Sequence, residues 1–190
     1  MKNQNVCPTA LSGSLDNSIR RFFQNPRKLL GKYIKPGMTI IDLGCGPGFF
    51  SIEMAKLLNG SGKVIAADLQ EGMLMKVNRK ITGTPLAQQI LLHQCQEDRI
   101  GIQEKADFIL AFYMIHEVPD QVKLFTELKS ILKPDGTIFI VEPKFHVSKS
   151  AFDKMMILIE KTGFEIIDRP GIAMSRALLI AHKKQGNKTS

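Results

Sequence analysis

The 190-residue chain has no tryptophan, three cysteines and no long apolar run. Each of these limits what it can be. No stretch approaches the roughly 18 consecutive apolar residues that a membrane-spanning helix needs. The first 20 residues hold no apolar core of a secretory leader, so a reduced, cytoplasmic setting is expected. Cys7, Cys45 and Cys95 are odd in number and far apart, and no Cys-x-x-Cys pair occurs. That pattern suggests neither a disulfide framework nor a zinc knuckle, and no metal site is expected. There is no Gly-Lys-Ser/Thr, so the chain has no triphosphate loop. Internal repeats and low-complexity stretches are also missing.

The formal charge is +8. Residues 1–36 carry seven basic residues and one acid, and residues 183–190 carry three lysines. Residues 37–182 carry 16 basic and 17 acidic residues, a balance of −1. The excess therefore sits at the two ends. We expect a basic arm at 1–36 that covers the site, a nearly neutral body at 37–182 and a flexible basic tail at 183–190. A charge run is usually a solvated face, but it leaves a nucleic-acid partner open. No clustered aromatics for base stacking accompany it, so that partner is not favoured.

Strand-like and helix-like segments alternate along the body. Apolar runs at Met38–Leu43, Val64–Ala67, Ile90–His93, Phe108–Phe112 and Thr137–Val141 read as strands, continuous enough to predict burial on both faces. Helical patterns fall at Phe49–Leu58, Glu71–Ile81, Asp120–Leu132 and Ala151–Lys161. Two further strands, Phe164–Ile167 and Ala177–Ala181, are joined by a loop too short for a parallel crossover. The expected fold is α/β: a three-layer, doubly wound, Rossmann-like sheet of seven strands, mostly parallel with the last strand antiparallel.

The sharpest signal is Ile40-Ile41-Asp42-Leu43-Gly44-Cys45-Gly46-Pro47-Gly48, a strand that enters a Gly-x-Gly-x-Gly turn before a helix. Asp68 follows at the end of the next strand, where a carboxylate can accept from ribose hydroxyls. The third glycine comes one residue earlier than in a dinucleotide fingerprint. Asp42 would repel a pyrophosphate and suits a cation. A positively charged nucleoside such as S-adenosyl-L-methionine fits these residues better than NAD.

At these residues the sequence resembles the class I S-adenosylmethionine-dependent methyltransferases, over residues 30–182. Asp42–Gly48 matches their first motif and Ala66-Ala67-Asp68-Leu69 the ribose motif. Ala106-Asp107-Phe108-Ile109-Leu110 matches the entry to the fourth strand, and Leu132-Lys133-Pro134-Asp135-Gly136-Thr137 the turn before the fifth. Closer still, it is similar to small stand-alone prokaryotic members related to the ubiquinone/menaquinone-type methyltransferase domain. The shared features are Cys7-Pro8, Leu15-Asp16-Asn17 with Arg20-Arg21, Asn25-Pro26, His116-Glu117-Val118-Pro119-Asp120 and Glu142-Pro143-Lys144-Phe145-His146-Val147-Ser148.

The resemblance implies an S-adenosylmethionine-dependent methyltransferase that acts on a small molecule, as a monomer or homodimer. An RNA or protein methyltransferase, or a non-catalytic S-adenosylmethionine binder, is the alternative. It implies a cofactor site at Asp42, Gly44, Cys45, Gly46, Gly48, Asp68, Leu69 and Phe112. Many members carry an acid after the third strand that meets the adenine amine. Here Gln96 aligns, with Glu97 next, and either side chain can accept from that amine. Asn17 or Arg20 of the arm is a candidate for the methionine carboxylate. Catalytic candidates lie after strands four and five: His116, His146 and Glu142. An imidazole titrates near pH 6.5 and suits a general base. Glu142 is equally readable as a structural partner of the arm, and His116 as a cap of the next helix.

Overall fold

The computed structural model describes residues 25–184. The arm's Cys7, Asn17 and Arg20 and the end of the tail lie outside the described residues. Helix α1 (Pro26–Leu30) starts on Asn25, whose side chain accepts from the amides of Arg27 and Lys28. Strand β1 (Thr39–Leu43), helix α2 (Phe49–Leu57), strand β2 (Lys63–Asp68) and helix α3 (Glu71–Ile81) follow. Then come strands β3 (Ile90–Gln94) and β4 (Ala106–Phe112), helix α4 (Gln121–Ile131) and strand β5 (Leu132–Pro143). Helix α5 (Lys149–Lys161) and strands β6 (Phe164–Asp168) and β7 (Ser175–His182) complete the order.

The seven strands form one sheet in the order β3-β2-β1-β4-β5-β7-β6. Pairings from β3 through β5 are parallel. β7 runs antiparallel to both of its neighbours, as its short connection from β6 requires. Strand order reverses between β1 and β4, which leaves a crevice outside their carboxyl ends.

Alternation within each strand divides the core in two. Ile41 and Leu43 of β1 and Ile109 and Ala111 of β4 face α4 and α5, where they meet Phe125, Leu128, Phe152 and Ile159. Ile40, Phe108 and Leu110 face the other way, towards Leu30 of α1, Phe50 and Met54 of α2 and Val77 of α3. Helices on both faces explain why these strands read as unbroken apolar runs. The segment from Pro26 to Ile34, read from the sequence as arm, is part of this second layer. Leu30 and Ile34 are buried, and the Tyr33 ring lies 5.2 Å from Phe139.

Strand β3 departs from the expectation of two-sided burial. It is an edge strand, and Leu91 and Leu92 are exposed. Its apolar content therefore does not report its depth. β5 is also longer than expected. Pairing begins at Leu132 opposite Ala106, and a register shift follows before Phe108. Residues Pro134-Asp135-Gly136 are thus an irregular piece of strand rather than a separating turn.

Phe139 is fully buried at the centre of the layer that carries α1 and α2. Truncation of such a ring costs its transfer energy and leaves a cavity. Phe139→Ala should lower unfolding free energy by about 3–5 kcal/mol in urea titrations. A loss below about 1 kcal/mol would contradict this packing.

Candidate active site

The crevice at the switch point is a cavity of about 490 Å3. That lies within the range of small-ligand sites, roughly 300–1,000 Å3. The glycine loop between β1 and α2 forms one wall and the turn after β2 another. The segment from Cys95 to Ile100 closes it opposite, and the stretch after β4 covers the side towards β5.

Two glycine positions explain the loop. Gly46 has φ +53, and a side chain there would meet nothing within 4 Å. Its backbone therefore lies open to the cavity in a conformation that favours glycine. Gly44 has φ +69, and a Cβ would stand 2.8 Å from the Cβ of Met114. Its lack of a side chain lets the segment after β4 close against the loop. Gly48 precedes α2 as its N-cap, packed against Val77.

Asp68 ties the walls together. Oδ2 accepts from the Gly46 amide at 2.8 Å, and Oδ1 from the Gln70 amide at 2.9 Å. A carboxylate offers about four acceptor positions, so these amides leave acceptor capacity for a ligand. Burial raises its pKa, and the backbone hydrogen bonds oppose that shift. Asp42 is buried and accepts a hydrogen bond from Ser51 Oγ. Seven carboxylates line the cavity, Asp42, Asp68 and Glu117 among them, against two cations, Arg99 and Lys123. This balance favours a ligand with positive charge.

Most of the predicted cofactor residues come together here: Asp42, Gly44, Cys45, Gly46, Asp68, Leu69, Gln96, Glu97 and Phe112 all line the cavity. Gly48 acts from behind the loop. Gln96 and Glu97 are both exposed on its wall. Gln96 Oε1 accepts from Arg99 Nε at 2.8 Å, which turns that oxygen back into its own loop. The thiols are not poised for reaction. Burial pushes Cys95 up to about 12, and burial followed by the charges of Asp42 and Asp68 pushes Cys45 up as well. Among the described residues, no cluster of three or more His, Cys, Asp or Glu could hold a metal ion.

The catalytic candidates sit beside the cavity rather than in its lining. Glu142, at the end of β5, is 1% exposed. Its Oε1 accepts from the Ile115 amide at 3.0 Å, and its Oε2 contacts His116 Nδ1 at 2.5 Å. Glu142 is thus the partner of the segment after β4 within the described residues. His116 lies in a 3₁₀ turn (Ile115–Glu117) and does not cap α4; Asp120 does. The exposed His146 ring stacks on His116 with centroids 5.9 Å apart.

The sequence reading passed over Met114, Gln70 and Lys123 as lining residues, and it did not foresee the backbone of Tyr113. Tyr113 has φ +60, uncommon without glycine. Its hydroxyl lies 2.5 Å from Ser175 Oγ on β7. Nothing in the residue type signals such a backbone, and the tyrosine's place directly after an apolar strand was the only pointer.

The model of a family described as a methyltransferase domain matches residues 34–179. A demethylmenaquinone methyltransferase of Lactobacillus johnsonii is 33% identical over 110 residues, 57% of this chain and 45% of that protein. One from Bacillus cereus is 28% identical over 109 residues, 57% of this chain and 46% of that protein. The chain thus spans about half the length of the curated relatives it matches. Among solved structures, a SAM-dependent methyltransferase from Aquifex aeolicus superposes with a TM-score of 0.81 at 24% identity, over 92% of this chain and 98% of that one. The chain belongs to the methyltransferase-domain family, of the class I, S-adenosylmethionine-dependent kind. No helix among the described residues is long and apolar enough to cross a membrane.

The hydrogen bond to Glu142 raises the pKa of His116 above its ordinary 6.5; burial opposes the shift, and the charges of Glu142 and Glu117 support it. The folded state therefore holds the proton more tightly than the unfolded chain. This contribution to stability is complete below about pH 6.5 and is lost as pH rises through the raised pKa. Unfolding measured in urea at successive pH values should show that decline. Glu142→Gln should flatten it, and equal slopes in the two proteins would contradict the pairing.

Proposed function

We propose that the protein is an S-adenosyl-L-methionine-dependent methyltransferase that acts on a small-molecule acceptor. The observation that carries this reading is the cavity itself. It joins a glycine loop with open backbone, a ribose-type carboxylate with acceptor positions to spare and a surplus of negative charge. When bound, S-adenosyl-L-methionine supplies an electrophilic methyl group on a sulfonium. Asp68 would receive the ribose hydroxyls, and Gln96 or Glu97 the adenine amine. Leu69 and Phe112 would line the nucleoside, and the open backbone at Gly46 would follow the amino-acid end. The protein's own work is then to hold two reactants in line and to exclude water, which can be worth several kcal/mol. His116, His146 and Glu142 are the residues for proton handling at the acceptor.

A small acceptor is favoured over RNA or protein for two reasons. The curated relatives are named for a small quinone-type acceptor. The basic tail also begins at the far pole. Lys183 follows β7 and bonds to Gly163 before β6, at the strand ends opposite the glycine loop.

Calorimetry with S-adenosyl-L-methionine or its demethylated product tests the reading. Asp68→Ala should weaken binding by about tenfold or more, as for loss of charge-assisted hydrogen bonds. Unchanged affinity would remove the ribose role, and no binding to the unaltered protein would overturn the assignment. With an acceptor in hand, His116→Ala should lower kcat by about 10²–10⁴-fold.

A further inference from the structure

We propose that the protein forms a two-fold symmetric dimer through β3. The outer edge of this strand pairs antiparallel with the same strand of a second copy and joins the two sheets into one.

The two edges of the sheet differ. β6, at one edge, carries Glu165 and Asp168, has a register shift between Ile166 and Asp168, and pairs Asp168 with Lys32. Charges and bulges of this kind keep an edge from pairing with another chain. β3, at the other edge, pairs with β2 over its whole length without a shift. The run Pro85–Gln94 that contains it holds no Lys, Arg, Asp or Glu. Its exposed Leu91 and Leu92 point to opposite faces. A regular, uncharged strand with apolar side chains on both faces offers the backbone template that β6 withholds.

The bonds to β2 decide which backbone groups of β3 face outwards. The Val64 amide donates to the Gln89 carbonyl at 2.8 Å, and the Cys95 amide to the Asp68 carbonyl at 3.0 Å. Bonds to one neighbour use alternate residues, so Gln89, Leu91, His93 and Cys95 face β2. Ile90, Leu92 and Gln94 turn their amides and carbonyls outwards. A two-fold axis at Leu92 pairs these three with one another: Leu92 with the partner's Leu92, and Ile90 with the partner's Gln94. Each such pair exchanges both of its N–H···O bonds. Leu91 comes to lie opposite the partner's His93.

Helix α3 selects a second copy as the occupant. It runs beside β3 in the opposite direction. Its start is level with Gln94, because the Gln70 amide bonds to Asp68 and Gln94 Nε2 donates to the Leu69 carbonyl at 3.4 Å. Its end, at Ile81, lies in the same apolar cluster as Ile90. The middle of the helix therefore stands beside Leu92. Leu74, Val77 and Ile81 face the sheet, and Lys80 Nζ donates to the Pro47 carbonyl at 2.6 Å, towards the glycine loop. Glu71, Met75 and Arg79, spaced four apart, form an exposed stripe on the outer side. The axis sets this stripe antiparallel to its copy. Glu71 then faces the partner's Arg79, and Met75 faces the partner's Met75. Acid, apolar residue and base in that order are self-complementary when reversed, as an isologous interface requires. The cavity wall from Cys95 to Ile100 leaves β3 directly, so the pairing sets it beside the Pro85–Gln88 turn of the partner subunit.

Sedimentation velocity of the full chain across a concentration series tests the proposal, with hydrogen exchange as a second readout. The chain should pass to a dimer as concentration rises, and the amides of Ile90, Leu92 and Gln94 should gain protection over the same range. Leu92→Lys sets two like charges on the axis and should leave a monomer where the parent is dimeric. Glu71→Arg alone and Arg79→Glu alone should weaken the dimer, and the two together should restore it. These side chains are exposed, and unchanged circular dichroism checks the fold of each variant. A chain that stays monomeric up to about 0.1 mM would overturn the proposal. A dimer indifferent to Leu92→Lys, or a charge exchange that restores nothing, would overturn it equally.

Discussion

The hydrogen bonds of Asp68 hold the site in one piece. The carboxylate stands at the end of β2, yet one of its oxygens takes the amide of Gly46, which follows β1. The other takes the amide of Gln70 at the start of the next helix. The loop after β1 is also fixed from below, where the amides of Gly44 and Cys45 both bond to the Ala67 carbonyl. The glycine turn is therefore strapped to β2 from two directions. A ligand that meets Gly46 and Asp68 meets a single preorganised surface, and it need not order a loop as it binds. The raised pKa of Asp68 is what this placement costs. Burial makes the charge expensive, and the backbone amides of Gln70, Gly46 and Leu69 return part of it.

A second carboxylate does the same work across the reversal in strand order. Glu142 reaches from β5 to the segment after β4, as Asp68 reaches from β2 to the segment after β1. Each buried acid ends a strand, and each takes a backbone amide from the loop that follows a neighbouring strand. The difference lies in the third partner. Gln70 is a backbone donor and fixes shape, whereas His116 is a titratable side chain paired with the buried acid. Two similar clamps thus tie the loops after β1 and β4 to the strands beside them, and Met114 packs against Gly44 where the two loops meet.

The glycine loop and the carboxylates beside it were legible in the sequence, and the grouping after β4 and β5 only in outline. Gly44, Gly46, Asp42 and Asp68 announce themselves because the backbone and charge they supply belong to residue types at fixed spacings after strands. The reversed last strand was legible from a loop length alone. His116, His146 and Glu142 could be placed near one another from the strand ends they follow. That Glu142 binds His116 depends on the register of β4 against β5, where Ala111 lies opposite Ile140 and Phe112 opposite Val141. No local pattern encodes that register. Strand β3 shows the reverse problem: Ile90-Leu91-Leu92 reads as core, but the strand occupies an edge, and apolar content cannot tell an edge from a centre.

The overall charge of +8 also changes meaning once it is placed in the fold. The cavity carries the opposite sign, with seven acids against two cations along its wall. A cationic nucleoside is drawn into such a wall and a polyanion is kept from it. Methyl transfer removes the sulfonium charge, so the product that must leave is held less tightly by these acids than the cofactor that enters.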